Sequence, residues 1–291
     1  MKYLFMSNVL KFIFLILTFQ CQNSNSQNGN EELTRQLLLH PNGLTINTRF
    51  SLPDNYKRTN PTPNSFAFYL SHLPMEEANA KVLLYNKQEK AYQEFCAGVI
   101  KMDIGTQNLQ QCADAVIRLR AEYLFNHKKY NQIHFNLTNG FRTNFLDWAN
   151  GNRIKVSGNK CVLEMAKAKP DFSYKNFRKY LDFVFSYAGS LSLSKELQPV
   201  DLQNIEIGDV FIKGGSPGHA VIVVDMAVEN ESNNKIFLLA QSYMPAQSVH
   251  VVVNPNNESI SPWYSLKEID SKLDTYEWIF SKNELMRFKE E

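Results

Sequence analysis

The clearest hydrophobic pattern in the chain lies between residues 205 and 254. "GDVFIKGGSPGHAVIVVDMA", residues 208–227, opens with a short β-prone run behind a Gly-Asp turn. The dense turn chemistry of "KGGSPG" follows, and then the strongly β-prone "HAVIVV". This predicts a hairpin with His219 as the first residue of its second strand. Alternation places His219, Val221, Val223 and Asp225 on one face. A turn at "ENESNN" and the run "KIFLLAQSYMPAQSVHVVV" extend the same antiparallel arrangement, with Gln241 on the strand after that of His219.

Upstream the period changes from two to that of a helix. "NLQQCADAVIRLRAEYLFNHKKY" predicts a helix capped by Asn108, with Leu109, Cys112, Val116, Leu119 and Tyr123 as its apolar stripe. "SYKNFRKYLDFVFSYAG" predicts a second, capped by Ser173 and stopped by Gly189, with Phe177, Tyr180, Leu181, Val184, Tyr187 and Ala188 facing inward. Shorter helices are expected at "SFAFYLSHLP", ended by Pro74, and at "SPWYSLKEI". Residues 46–105 read as short β-prone pieces broken by Pro, Asn and Gly. Helices first and an antiparallel sheet afterwards make the fold class α+β, with the sheet packed on the helices.

The N-terminus follows a different logic. Lys2 and Lys11 precede "FIFLILTF", an apolar stretch too short for a spanning helix, which needs roughly 20 apolar residues. A basic start followed by such a stretch reads as an export signal over residues 1–20. Cys21 stands at its end, ahead of the polar tether "QNSNSQNGNEE", and resembles a bacterial lipid-attachment cysteine. Thr18, Phe19 and Gln20 are larger than the residues usual before one. The expected organisation is a signal over 1–20, a tether over 21–32 and one α+β domain over 33–291. Its expected partner is a membrane surface, reached through the N-terminal lipid. The expected location is a bacterial envelope membrane, the outer one, with a secreted or periplasmic protein as the alternative.

Composition narrows the chemistry. The 291 residues carry a formal net charge of +2 and are 44% hydrophobic, as expected of a folded globular chain. Near-neutral charge without basic blocks argues against nucleic acid as a partner. No phosphate-cradling glycine motif occurs, the six histidines form no metal-binding pair, and the four cysteines have no CxxC spacing. No cofactor or metal is therefore expected. Beyond Cys21, the thiols are Cys96, Cys112 and Cys161, an odd number for an oxidising compartment. Either one pair bridges and one thiol is free, or all three stay reduced, and a leftover thiol is a core side chain or a nucleophile.

Cys112, His219 and Gln241 stand in an order that suits nucleophilic catalysis. A cysteine early in a helix feels the dipole that favours thiolate, a strand histidine takes its proton, and a polar side chain orients the imidazole. With "GD" ahead of the histidine, the segment resembles the NlpC-type and CHAP-type amidases of the papain-like kind. The resemblance implies an amide-cleaving site with Cys112 as nucleophile, His219 as base and Gln241 as orienter. Gln111 and Ala113 flank the cysteine where those families carry Asp or a small polar residue. Cys112 also falls on the apolar stripe, where it would pack as core. Gln107 or Gln110 is the candidate donor to an oxyanion, and the spacing selects neither.

A wider resemblance covers most of the chain. "NTRFSLPDNYKR", "NSFAFYLSHLP", "NLQQCADAVIRLRAEYLF", "GDVFIKGGSPGHAVIVVDMA" and "LLAQSYMPAQ", in that order, resemble a family of exported bacterial proteins, many of them Bacteroidetes lipoproteins, catalogued as a domain of unknown function. It implies an envelope location and no particular activity. Two function classes follow: a cysteine hydrolase acting on cell-wall peptides, or a non-catalytic envelope protein that binds a glycan or peptide or serves in an assembly. Arg118 and Glu122 form an i,i+4 pair expected at the surface, where the arginine is also available to a substrate carboxylate. Trp148 and Trp263 are candidates for stacking on a sugar or peptide.

Overall fold

The run at His219–Glu229 is the spine of the molecule. The structure, a computed structural model, describes residues 38–289, so the export segment, Cys21 and the tether lie outside the described residues. Nine strands join one sheet. They are β1 (Tyr56–Arg58), β2 (Cys96–Val99), β3 (Gln198–Pro199), β4 (Val210–Lys213), β5 (His219–Glu229), β6 (Lys235–Gln241), β7 (His250–Val252), β8 (Tyr264–Ser265) and β9 (Leu285–Arg287). Their order is β2-β7-β6-β5-β4-β9-β3; β1 pairs with the second half of β5 and β8 with the start of β6. Every pairing is antiparallel. Mixed helices and antiparallel strands make the fold α+β, as the periodicities indicated.

The longer helices are α1 (Phe66–Ser71), α2 (Cys112–Asn126), α3 (Tyr174–Tyr187) and α4 (Ser190–Glu196). Ser65 caps α1 by accepting from the Phe68 N–H, and Ser173 caps α3 by accepting from Asn176. One sheet face, through Ala220, Ile222, Val224, Ala240 and Val251, packs with Val116, Leu119 and Leu124 of α2 and Phe177, Leu181 and Val184 of α3. Such side chains contribute about 1.5–3 kcal/mol each when fully buried. The other face carries Phe211, Val221, Val223, Phe237 and Leu239, covered by Leu273 and Phe280 from a C-terminal hairpin of Lys272–Asp274 and Ile279–Ser281.

Four local expectations are corrected. α2 begins at Cys112 with Gln111 as cap, not at Asn108, because the Asn108 Oδ1 accepts from the distant Ala246 N–H at 2.7 Å. In α3, Tyr187 is 41% exposed and Ala188 lies beyond the last helical residue. The β5–β6 register shifts between Leu238 and Leu239, pairing Leu238 with Asp225 and Leu239 with Val223. That bulge turns Asp225 to the helix-side face, away from His219, where it pairs with Arg58. Finally, "SPWYSLKEI" forms β8 and a single 3₁₀ turn over Leu266–Glu268, since Tyr264 and Ser265 complete the edge of β6.

Candidate functional site

Cys112 is the first residue of α2. Asp114 accepts the Gln111 N–H at 3.0 Å, which fixes the helix start. The backbone N–H groups of Cys112, Ala113 and Ala220 point at the half-buried sulfur. Ala220 is the neighbour of His219, so the helix start abuts the first residues of β5. Burial pushes the Cys112 thiol up to about 11; the nearby Asp114 charge adds to the rise and the three amides oppose it. Asp114 is itself raised to about 8, because burial outweighs its hydrogen bonds.

His219, Gln241 and His250 occupy three adjacent strands and share the face opposite α2. Gln241 pairs directly with His250, and Ala240 pairs with Ile222. Gln241 therefore reaches diagonally to His219, its Oε1 lying 2.7 Å from Nε2 of the ring. Tyr243, Trp278 and Phe280 surround the imidazole, with centroids at 4.7, 5.5 and 5.8 Å. The Tyr243 phenol, packed against the imidazole, is raised mainly by burial, with Glu277 and then Cys112 adding to the rise. Burial lowers His219 to about 4, against the opposing pull of Gln241 and Glu277. His250, fully buried, is lowered to about 4 for the same first reason. The resting thiol and imidazole are thus both neutral near pH 7.

Two loops lock these parts together. Residues 242–247 leave β6 directly after Gln241, and residues 108–110 lead into Cys112. The Ser242 hydroxyl lies 3.0 Å from the Gln110 carbonyl and 2.9 Å from that of Gln247. Behind Gln241, Nε2 donates to Glu277 Oε2 at 2.6 Å, and Glu277 Oε1 pairs with Lys90 Nζ at 2.7 Å. The sequence reading missed Glu277, Lys90, Tyr243 and His250. Only His250 carried a readable signal, opening the β-prone run "HVVV" much as His219 opens "HAVIVV".

The remaining candidates divide clearly. Arg118 is 2% exposed, so its pair with Glu122 is buried, contrary to the surface expectation. Its guanidinium donates to Glu122, Asp103, Gln110 and Tyr174, which uses all five N–H groups and leaves none for a substrate carboxylate. Gln110 presents Oε1 to Arg118 at 2.5 Å and its buried Nε2 has no partner among the described residues, whereas Gln107 is exposed. Trp263 is wholly buried and donates to the Ser51 carbonyl, and Trp148 packs between Tyr180 and Phe183 beneath Arg153. Trp263 therefore offers no open stacking face, and Arg153 covers the ring of the partly buried Trp148. Cys96 lies in β2 and Cys161 in the hairpin of Arg153–Ser157 and Lys160–Glu164; the three described cysteines form no disulfide. Among the described residues no cluster of three or more His, Cys, Asp or Glu is placed to hold a metal.

A separate cavity of about 510 Å³ opens beside α1 and the middle of α2, walled by Phe68, Tyr69, Arg118, Glu122 and Tyr174. Cys112, His219 and Gln241 do not line it.

Residues 46–287 match the family described as Domain of unknown function (4846), and the chain belongs to that family. No curated protein and no solved structure matches it.

Proposed function

We propose that the chain is an exported envelope lipoprotein, attached through Cys21, with a papain-like cysteine hydrolase site that cleaves amide bonds in cell-wall peptides. The observation that carries the reading is the 2.7 Å contact between His219 Nε2 and Gln241 Oε1, formed where the Cys112 thiol faces the Ala220 amide. With Nε2 engaged, Nδ1 is the ring nitrogen left to receive the thiol proton. The neutral pair suits a base that acts during attack rather than a preformed ion pair.

In this mechanism Nδ1 takes the Cys112 proton as the sulfur adds to the substrate carbonyl carbon. The carbonyl π pair moves to oxygen, and the positive end of the α2 dipole would favour the charge that develops there. Collapse re-forms the carbonyl, breaks the C–N bond and passes the proton from His219 to the leaving amine. Water, deprotonated by His219, then attacks the thioester, releasing the acid and restoring the thiol. The test is incubation of the purified chain with soluble peptidoglycan fragments: new amino groups form with the wild type and not with Cys112→Ala. Equal yields from both would exclude this site.

The cavity beside Tyr69 and Tyr174 favours a second reading, a binding protein for a glycan or peptide without turnover. Its volume of about 510 Å³ falls within the usual range for small-ligand sites. A ligand there would be recognised by aromatic walls and the Glu122 carboxylate, because the Arg118 donors are already taken.

A further inference from the structure

We propose that Glu277 is a positioning residue that sets the tautomer of His219 by fixing which end of the Gln241 amide faces the imidazole. The role in chemistry rests on the cysteine-hydrolase reading above; the tautomer itself does not.

A primary amide is two-faced. Its oxygen only accepts, its nitrogen only donates, and a half-turn about one bond exchanges them with almost no change in shape. Whichever end meets Nε2 of His219 decides which ring nitrogen carries the proton. An amide oxygen there demands Nε2–H and leaves the lone pair on Nδ1. An amide nitrogen there demands the reverse, and Nδ1 would then carry a proton and be unable to accept one.

The contacts behind Gln241 settle the choice. Glu277 Oε2 lies 2.6 Å from Nε2 of Gln241, and a carboxylate is an acceptor. His250 Nδ1 lies 2.9 Å from the Ser248 carbonyl, so that nitrogen carries its proton and Nε2 keeps a lone pair. That lone pair faces the same Gln241 nitrogen at 3.4 Å. Both amide hydrogens therefore have acceptors. A flipped amide would press its oxygen against the Glu277 carboxylate and against the His250 lone pair. A hydrogen bond to a charged acceptor is about twice as strong as a neutral one, so Glu277 supplies most of the preference.

Lys90 holds the carboxylate in place. Its ammonium, 8% exposed, contacts Glu277 Oε1 at 2.7 Å and sits over the Phe95 ring, which stacks on Tyr276. Glu277 itself projects from the turn of the C-terminal hairpin, closed by mutual Thr275–Trp278 backbone hydrogen bonds. The order Lys90, Glu277, Gln241, His219 thus runs from a charge that cannot flip to an imidazole that must not.

The experiment reads the His219 ring nitrogens by ¹⁵N NMR in the full chain near pH 7. The wild type is expected to show the Nε2–H form. Glu277→Gln, nearly identical in shape, frees the Gln241 amide to turn, so the Nδ1–H form should appear in it. The double variant Gln241→Glu with Glu277→Gln puts the acceptor-only group at position 241. It should restore the Nε2–H form, and it tests the same logic if the single variant fails to fold. Iodoacetamide labelling of Cys112 at pH 7 is expected to fall at least about tenfold in Glu277→Gln and to recover in the double variant. Nitrogen signals unchanged by Glu277→Gln, or unrestored by the double variant, would overturn the proposal. A tautomer that responds while Cys112 reactivity does not would retain Glu277 as tautomer-setting and count against the hydrolase reading instead.

Discussion

The Ser242 hydroxyl and the Gln110 carbonyl, 132 residues apart in sequence, meet at 3.0 Å. Ser242 follows Gln241 and Gln110 precedes Cys112 by two, so this contact sets the distance between the two halves of the site. The hydroxyl is fully buried and shares one proton between the carbonyls of Gln110 and Gln247. Ser242→Ala is expected to cost about 1–3 kcal/mol, because buried acceptors lose their donor. Urea denaturation measures this. A variant as stable as the wild type would mean that the loops are held by other contacts.

Acid should weaken the fold through His219 and His250. Both are lowered to about 4 by burial, so their contribution is complete above the ordinary imidazole value near 6.5 and is lost as pH falls through about 4. Asp114 acts oppositely. Raised to about 8, it contributes fully below its ordinary value of 3.8 and loses that contribution as pH rises through about 8. Denaturation midpoints between pH 4.5 and 6.5 should therefore rise with pH in the wild type and rise more steeply in Asp114→Asn. In His250→Gln the profile should be nearly flat, because His219 and Asp114 then offset each other. A flat profile in all three would contradict the burial of neutral imidazoles.

Arg118 anchors the polar layer between α2 and the segment around Asp103. Arg118→Met should destabilise by about 3–5 kcal/mol, since Glu122 is then buried without its partner. Adding Glu122→Gln should recover part of that loss by removing the stranded charge. Thermal or urea unfolding of the single and double variants separates the two outcomes; strict additivity would show that the pair is not coupled.

Much of the central hairpin could be read from the sequence because its determinants are local. "HAVIVV" and "KIFLLAQ" are β-prone over whole strands, which places His219 and Gln241 on successive strands; that they share a face depends on the register. Cys112 was legible as a residue near a helix start, although its cap was misplaced from Gln111 to Asn108. Asn108 there serves a long-range bond to Ala246, which no helix-capping preference anticipates. Glu277 and Lys90 were invisible for a similar reason. They lie 187 residues apart, in a turn and a loop, and no period links either to Gln241. The Arg118–Glu122 spacing was correctly seen, but burial depends on Asp103 and Tyr174 closing over it. Tertiary contact likewise turned the expected helix at 261–269 into a sheet edge.

The membrane anchor is testable without the fold. Cys21→Ala is expected to move the protein from the membrane fraction to the soluble fraction, or to leave the export signal uncleaved. Unchanged fractionation and processing would remove the lipid from the account.

The most direct measurement is the iodoacetamide labelling rate of each thiol in the native chain at pH 7, with and without His219. A Cys112 thiol held at about 11 has only about one thiolate in ten thousand molecules at that pH unless a base takes its proton. All three described thiols are half-buried, so access alone favours none of them. The account predicts that Cys112 reacts faster than Cys161 and Cys96 by roughly tenfold or more, and that His219→Ala abolishes this advantage. Cys112 labelling no faster than Cys161, or equally fast in His219→Ala, would contradict it.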